Sequence, residues 1–306
     1  MRLETIDETR RTRLHPNRKM MLRHLRVSAC ILSLFLTAVH GENSKDIEYG
    51  RAGKYSLRLD AHIPNGTGPF AAMILVHGGA WVAGDRTNSV QPLFQPLSDA
   101  GFAWFSISYR LAGDVVRNPI GAALQLGTAE NDVRRAVAFV KEHASEYRVN
   151  PGKIVLIGES AGGQLASMAA LRPDPEGAVQ GVVAFYMPSD LASLARTSDL
   201  IPDSVRDAVK GTLFDDLLMA GLTEFSPINY VSATSPPFLL IHGTDDNVVP
   251  FAQSQRFCDK LRTAGVDCEL YRVQGGGHGM RAWQSLRLTD YKGPMVRWLQ
   301  QVLTHP

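Results

Sequence analysis

The chain has 306 residues, of which 44% are hydrophobic and 20% charged, and its formal net charge is +2. This composition excludes an intrinsically disordered chain and a coiled coil, and the length suffices for a core that needs no metal to fold. Residues 1–40 hold eight Lys/Arg and three acidic residues, so the remainder carries a net charge of −3. The weakly basic balance is therefore no argument for nucleic-acid binding.

The first predicted element is an N-terminal export signal. Residues 18–26 are basic, and residues 27–39 form an uncharged apolar run of 13 residues with small residues after it. This order is typical of a secretory signal peptide, and the run is shorter than the roughly 20 residues that span a membrane. We expect residues 1–41 to be removed on export to the periplasm or medium, with Met20 or Met21 as alternative start positions. An uncleaved anchor or a buried helix is the competing interpretation.

Residues 42–306 alternate strand-like apolar runs with helical patterns. The runs are rich in β-branched and aromatic residues, as expected for strands buried on both faces of a parallel sheet. Strands are predicted at 46–50, 55–63, 72–77, 102–108, 153–157, 180–186, 238–242 and 268–273, and helices at 128–146, 161–171, 251–264 and 283–303. The alternation predicts one α/β domain with a mostly parallel eight-stranded sheet and helices on both faces. Residues 188–232 interrupt it and are expected to form a small helical cap.

The strand predicted at 72–77 ends in the sequence H-G-G-A-W, residues 77–81. Glycines after a buried strand let backbone N–H groups approach a ligand closely, which is what the oxyanion of an acyl-transfer reaction requires. We predict an oxyanion hole made by the N–H groups of Gly79 and Ala80 together with that of Ala161. The histidine at the start of this sequence is expected to order the loop and not to act as an acid or base.

The strand predicted at 153–157 leads into G-E-S-A-G, residues 158–162, and then into an alanine-rich helix. This is the G-x-S-x-G nucleophile elbow in its strand–turn–helix context. The flanking glycines leave room for a sharp turn, and the N-terminus of the following helix favours developing negative charge. Ser160 is the predicted nucleophile, and the alternative is a glycine-rich turn without a catalytic role.

Two later strand ends carry an acid and a base. The strand predicted at 238–242 is followed by Asp245 and Asp246, either of which could hold and orient a catalytic histidine. His278 follows the last strand and stands among glycines, in a loop that can bring an imidazole over a serine. The chain order of Ser160, an acid and then His278 is the order found in α/β-hydrolases.

The cysteines bear on the compartment. One of the three lies in the export signal, which leaves Cys258 in a predicted helix and Cys268 at the start of a predicted strand. Because a pair left after processing is usually bridged in an oxidising compartment, we predict a Cys258–Cys268 disulfide, with two buried thiols as the alternative. No cluster of His, Cys and carboxylate residues has metal-ligand spacing, so neither a metal nor a cofactor is predicted.

The motifs at 77–81, 158–163 (G-E-S-A-G-G) and 242–250 (H-G-T-D-D-N-V-V-P) resemble those of a known family. They are similar to motifs of α/β-hydrolase serine esterases of the hormone-sensitive-lipase-like and feruloyl-esterase-like bacterial group, which also resembles arylformamidases. In that family the last motif is H-G-x-x-D-x-x-V-P and its fifth residue is the acid of the catalytic triad. The resemblance therefore implies that Asp246 is the acid and that Asp245 is a solvated loop residue.

The resemblance covers about residues 46–303 and contains one departure. Lipase-like members carry a third glycine where Ala80 stands, and they have a helical lid before the sheet. This favours the branch of the family with an H-G-G-x-W motif and a reduced cap, and it makes large lipid substrates a poor fit.

The leading functional hypothesis is an exported serine carboxylesterase that hydrolyses short acyl or aryl esters through an acyl-enzyme intermediate. An ester-linked group on a polysaccharide is one candidate substrate. An amide hydrolase similar to arylformamidases or peptidases, using the same three residues, is the first alternative, and a non-catalytic binding module on this scaffold is a remote one. Neither a nucleic-acid partner nor a membrane span in the processed chain is expected.

Overall fold

The computed structural model describes residues 42–112, 119–197, 207 and 210–304. The predicted export signal and part of the predicted cap lie outside these residues.

Eight strands form one twisted sheet. They are β1 (Glu42–Ala52), β2 (Tyr55–Ile63), β3 (Phe70–Val76), β4 (Ala103–Ile107), β5 (Val149–Glu159), β6 (Gly181–Phe185), β7 (Phe238–Gly243) and β8 (Cys268–Val273). Their order across the sheet is β1-β2-β4-β3-β5-β6-β7-β8, in which β2 pairs antiparallel with both neighbours and every other pair is parallel. The predicted fold class is confirmed, and β2 and β8 have the predicted bounds.

The sheet is buried on both faces, as the composition of its strands requires. Along β3, Ala72 and Ile74 belong to one hydrophobic cluster and Met73 and Leu75 to the other, because successive side chains point to opposite faces. All four side chains are fully buried. This packing holds the carboxyl ends of the parallel strands in a fixed row, from which the loops described below extend.

Helices cover both faces. They are α1 (Phe94–Asp99), α2 (Pro119–Glu142), α3 (Ala161–Leu171), α4 (Leu191–Thr197), α5 (Leu213–Glu224), α6 (Ala252–Thr263), α7 (Met280–Ser285) and α8 (Lys292–Val302), with 3-10 turns at Gln91–Leu93 and Pro227–Tyr230. Side chains of α2, α3 and α6 join one hydrophobic cluster, and those of α1, α7 and α8 join the other.

Two predicted helices differ from the structure. The helix predicted at 283–303 is two helices, because Arg287 adopts a φ of 60° and the left-handed conformation ends α7. The helix predicted from residue 128 extends further toward the N-terminus, since the described part of α2 spans Pro119–Glu142.

Within residues 188–232 the structure contains α4, α5 and the second 3-10 turn. The side chain of Thr212 caps α5 by accepting a hydrogen bond from the N–H of Asp215 at 3.2 Å. Helix α5 packs against α2 and α4, and the 3-10 turn packs against α3. The extent of the cap stays a prediction, because residues 198–206 are outside the described part of the chain.

Cys258 on α6 and Cys268 at the start of β8 are joined by a disulfide, with 5.5 Å between their Cα atoms. Both residues are buried. None of the helices in the described residues combines the length and the hydropathy of a membrane span.

Candidate active site

Ser160 occupies the tight turn between β5 and α3, with a φ of 49° and a ψ of −121°. The space around this turn is filled by backbone atoms. A Cβ on Gly158 would lie 2.3 Å from the carbonyl oxygen of Gly162, and a Cβ on Gly162 would lie 2.2 Å from the carbonyl oxygens of Val76 and His77. Only glycine fits at either position, so the two glycines are what allow the serine to sit at the sharp end of the strand.

Ser160, His278 and Asp246 form one hydrogen-bonded chain. The Nε2 atom of His278 lies 2.9 Å from Oγ of Ser160, and its Nδ1 atom lies 2.7 Å from Oδ2 of Asp246. Because a carboxylate only accepts hydrogen bonds, Nδ1 of the neutral ring carries the proton, and Nε2 is left to accept from the serine hydroxyl. The structure thus brings together three residues from the ends of β5, β7 and β8.

Asp246 is held on all sides. Its Oδ1 accepts hydrogen bonds from the N–H groups of Val248 and Val249, both at 2.9 Å. Its Oδ2 lies 3.3 Å from Nε2 of His242 and receives the bond from His278. Burial alone would raise the pKa of this carboxyl, but the hydrogen bonds from the two histidines and the backbone outweigh it, so the pKa is well below the ordinary value. The residue is therefore ionised beside the histidine.

The other predicted acid, Asp245, is exposed, and among the described residues its side chain accepts a hydrogen bond only from the hydroxyl of the preceding Thr244. Its backbone N–H donates to the carbonyl oxygen of Gly276 at 2.9 Å and so links the two loops that carry Asp246 and His278. The geometry thus places Asp246, and not its neighbour, beside the imidazole.

The predicted oxyanion hole lies at the junction of the loop after β3 and the start of α3. Gly79, Ala80 and Trp81 all have positive φ values, of 116°, 51° and 61°, and this turns the chain back on itself. A Cβ on Gly79 would lie 2.1 Å from the carbonyl oxygen of Ala83. Within the described residues, none of the N–H groups of Gly79, Ala80 and Ala161 donates to a protein acceptor, so all three remain free to bind an anion.

His77 is buried and structural. Its ring stacks on that of Tyr109 at a centroid distance of 4.3 Å, and its Nδ1 atom lies 2.8 Å from the carbonyl oxygen of Gly78. Burial lowers the pKa of its imidazole, which favours the neutral ring. This is the loop-ordering position that the sequence suggested.

Three residues near the site were not predicted from the sequence to have a role there. Glu159 is the last residue of β5, Tyr186 directly follows β6, and His242 is the fifth residue of β7. All three side chains are buried. Polar residues at the ends of otherwise apolar strands were the available signal. The hydrogen-bond partners of Glu159 and Tyr186 lie 27 or more positions away in the sequence, so no local pattern reveals these contacts.

Among the described residues, no group of three His, Cys, Asp or Glu side chains is arranged to hold a metal ion.

Residues 59–261 match the BD-FAE family. The chain belongs to this family. It is 33% identical over 255 residues to LipM of Mycobacterium tuberculosis, a probable carboxylic ester hydrolase, with 79% of this chain and 56% of the relative covered. It is 30% identical over 254 residues to the esterase LipQ of the same organism, with 78% and 57% covered. The BD-FAE chain thus spans just over half the length of these curated relatives.

Solved structures agree with the family. A truncated carbohydrate esterase from gut microbiota superimposes with a TM-score of 0.67 at 25% identity, covering 88% of this chain and 98% of that one. Esterase Est2 of Thermogutta terrifontis with propionate bound gives a TM-score of 0.62 at 25% identity, covering 81% and 92%. The BD-FAE chain therefore has the α/β-hydrolase fold of known esterases.

Proposed function

We propose that this BD-FAE chain is a serine carboxylic ester hydrolase in which Ser160, His278 and Asp246 form the catalytic triad. The observation that carries the proposal is the chain of hydrogen bonds from Oγ of Ser160 through the imidazole to the buried carboxylate, at 2.9 and 2.7 Å. A serine hydroxyl becomes a nucleophile when an oriented base accepts its proton, and this geometry supports that transfer.

In the proposed reaction Oγ of Ser160 attacks the ester carbonyl carbon while Nε2 of His278 takes the hydroxyl proton. The negative charge that develops on the carbonyl oxygen is stabilised by the free N–H groups of Gly79, Ala80 and Ala161. One such donor is worth about 3 kcal/mol in the transition state. The imidazolium then protonates the leaving alcohol, and water, activated by the same histidine, releases the acid from the acyl-enzyme.

The decisive experiment compares the protein with its Ser160→Ala variant on nitrophenyl acetate and with a fluorophosphonate probe. The proposal expects turnover and covalent labelling in the parent, and in the variant no labelling and a kcat at least about 10⁴-fold lower. Turnover that persists in the variant, measured with protein free of host esterases, would contradict it.

We further propose that the substrate is a short acyl ester borne by a carbohydrate. Support comes from the solved neighbour named as a carbohydrate esterase, and from the reduced cap predicted for residues 188–232. The test is a panel of acetylated sugars, acetyl, butyryl and feruloyl esters, and an aryl formamide. The highest kcat/KM is expected on acetylated sugars, and a preference for the formamide would instead support amide hydrolysis.

We also propose that the chain is exported, with residues 1–41 as its signal. The basic and apolar runs of that segment support this, as does the disulfide between Cys258 and Cys268, because such bonds persist in oxidising compartments. Expression of the full chain in a bacterium should give a periplasmic or secreted product beginning at Glu42. Retention of the whole chain in the cytosol would overturn the proposal.

A further inference from the structure

The carboxyl group of Glu159 lies directly behind the nucleophile and is 7% exposed. Its Oε1 accepts a hydrogen bond from the N–H of Gly78 at 3.3 Å, which ties it to the loop that carries the predicted oxyanion hole. The contact is close enough that a Cβ on Gly78 would lie 2.9 Å from Oε1. One side chain therefore joins the nucleophile turn to the neighbouring loop.

The other oxygen of Glu159 accepts a hydrogen bond from the hydroxyl of Tyr186. That hydroxyl in turn accepts a hydrogen bond from the N–H of Met280 at 2.9 Å, two residues after His278. The Tyr186 ring also makes an edge contact with the His278 ring, with 4.7 Å between their centroids. Tyr186 thus supports the imidazole from the side and holds the end of its loop.

Burying a carboxyl group is unfavourable unless its oxygens are satisfied. Burial raises the pKa of Glu159. The hydroxyl groups of Tyr186 and Ser89, the N–H of Gly78 and the positive charge of a protonated His278 oppose that rise. An apolar side chain would avoid the burial penalty and lose these contacts, so a role in catalysis accounts for a carboxyl group here.

We propose that Glu159 and Tyr186 are a buried positioning pair. The pair fixes two loops relative to Ser160: the loop after β3 that carries Gly79 and Ala80, called the oxyanion loop, and the loop that carries His278. The inference rests on the proposed function. Both side chains are buried, so the pair acts through the geometry of the groups that it holds. Displacing a catalytic group by about 1 Å can reduce a rate by about 100-fold, so the pair should affect kcat much more than KM.

The test uses Glu159→Gln, which keeps the shape but replaces one acceptor oxygen by a donor, and Tyr186→Phe, which keeps the ring and removes the hydroxyl. Each variant is expected to lower kcat on nitrophenyl acetate by about 10- to 100-fold, with KM changed less than about threefold. The loss in the double variant should be smaller than the product of the two single losses, because the two side chains act through one connected set of hydrogen bonds.

Tyr291→Phe is the matched control. Tyr291 is fully buried and packs edge-on against Phe185 and Trp283, and within the described residues its hydroxyl has no hydrogen-bond partner. Removing that hydroxyl should leave kcat within about twofold of the parent. Expressing kcat per mole of fluorophosphonate-labelled enzyme prevents a misfolded fraction from imitating the loss.

Parent-like kcat in both Glu159→Gln and Tyr186→Phe would overturn the positioning pair, as would losses that multiply in the double variant or that appear only in KM. These outcomes leave the proposed function intact if Ser160→Ala is inactive. Turnover in Ser160→Ala would instead remove the proposed function itself.

Discussion

Glycine is required on both sides of Ser160 because backbone oxygens leave no space for a Cβ. The helix that begins there would by itself favour a different residue. Gly162 is the second residue of α3, where alanine is ordinarily the better helix former by about 1 kcal/mol. Here a Cβ would lie 2.2 Å from the carbonyl oxygens of Val76 and His77 at the end of β3, and backbone atoms cannot move aside as a flexible side chain can. The local steric cost therefore exceeds the helix propensity.

Gly162→Ala should accordingly destabilise the protein by about 2–3 kcal/mol, because overpacking of this kind displaces the backbone. It should also lower kcat, since the displaced loop carries the oxyanion donors. Urea unfolding and nitrophenyl acetate kinetics measure the two effects. Gly293→Ala in α8 is the matched control, because its nearest atom is the mobile end of Arg297 at 3.3 Å, and it should gain up to about 1 kcal/mol. Equal effects of the two substitutions would contradict the steric argument.

At the scale of elements, Gln164 links the oxyanion loop to the segment that ends α5. Its Oε1 accepts a hydrogen bond from the indole N–H of Trp81 at 3.0 Å, and its Nε2 donates to the carbonyl oxygen of Phe225 at 2.7 Å. The indole can only donate and the carbonyl can only accept, so the amide has one orientation. The side chain is fully buried and holds two elements at once.

Gln164→Leu should destabilise the protein by about 2 kcal/mol, because it leaves an N–H and a carbonyl group without their partner. We also expect KM to rise more for butyryl than for acetyl esters, since the loop and the cap segment would no longer be held together. Urea unfolding and the two KM values provide the measurement. Unchanged stability and an unchanged ratio of the KM values would show that the link is dispensable.

The disulfide joins α6 to β8 across a separation of 10 residues. A loop of this length is expected to contribute about 3 kcal/mol through the entropy of the unfolded chain. The Cys258→Ala/Cys268→Ala double variant should therefore unfold at lower urea concentration and keep its kcat at 25 °C, because Cys268 is a strand's length away from the loop of His278. Dithiothreitol should shift the unfolding of the parent similarly and leave that of the variant unchanged. A loss of kcat in the folded variant would contradict this separation.

The sequence predicts a structural feature when the residues that cause it are neighbours in the chain, and it does so less well when they are distant. The strands were predicted because burial on both faces leaves a continuous apolar run, and the turn at Ser160 because its glycines are adjacent to it. The break in the last predicted helix depends on the conformation of Arg287, which no periodicity encodes. The contact of Glu159 with Tyr186 joins the ends of neighbouring strands 27 positions apart, so only the assembled sheet reveals it.

At the scale of the whole molecule, the sheet places two carboxyl groups with opposite pKa shifts near the carboxyl ends of its strands. Asp246 receives four hydrogen-bond donors, and its pKa is lowered; Glu159 is raised in pKa chiefly by burial. A lowered folded-state pKa stabilises the fold above the ordinary acidic pKa, and this contribution is lost as the pH falls through the folded value. A raised folded-state pKa has the opposite effect on stability. Ionisation of the buried group is unfavourable and begins to destabilise the fold as the pH rises above about 4.

The two carboxyls should therefore give stability differences of opposite pH dependence. Relative to the parent, Asp246→Asn should be destabilised at pH 7. The difference should shrink as the pH falls below about 4, because the carboxyl of Asp246 takes up a proton there in the unfolded parent and stays ionised in the folded one. Glu159→Gln should be least stable relative to the parent at pH 3–4 and should improve as the pH rises toward 7, because it never ionises. Urea unfolding of the three proteins between about pH 3 and 8 measures both slopes. Slopes of the same sign would mean that the environments of the two carboxyls do not differ in this way. The ionised Glu159 would then need a stabilising partner beyond Tyr186, Ser89 and Gly78.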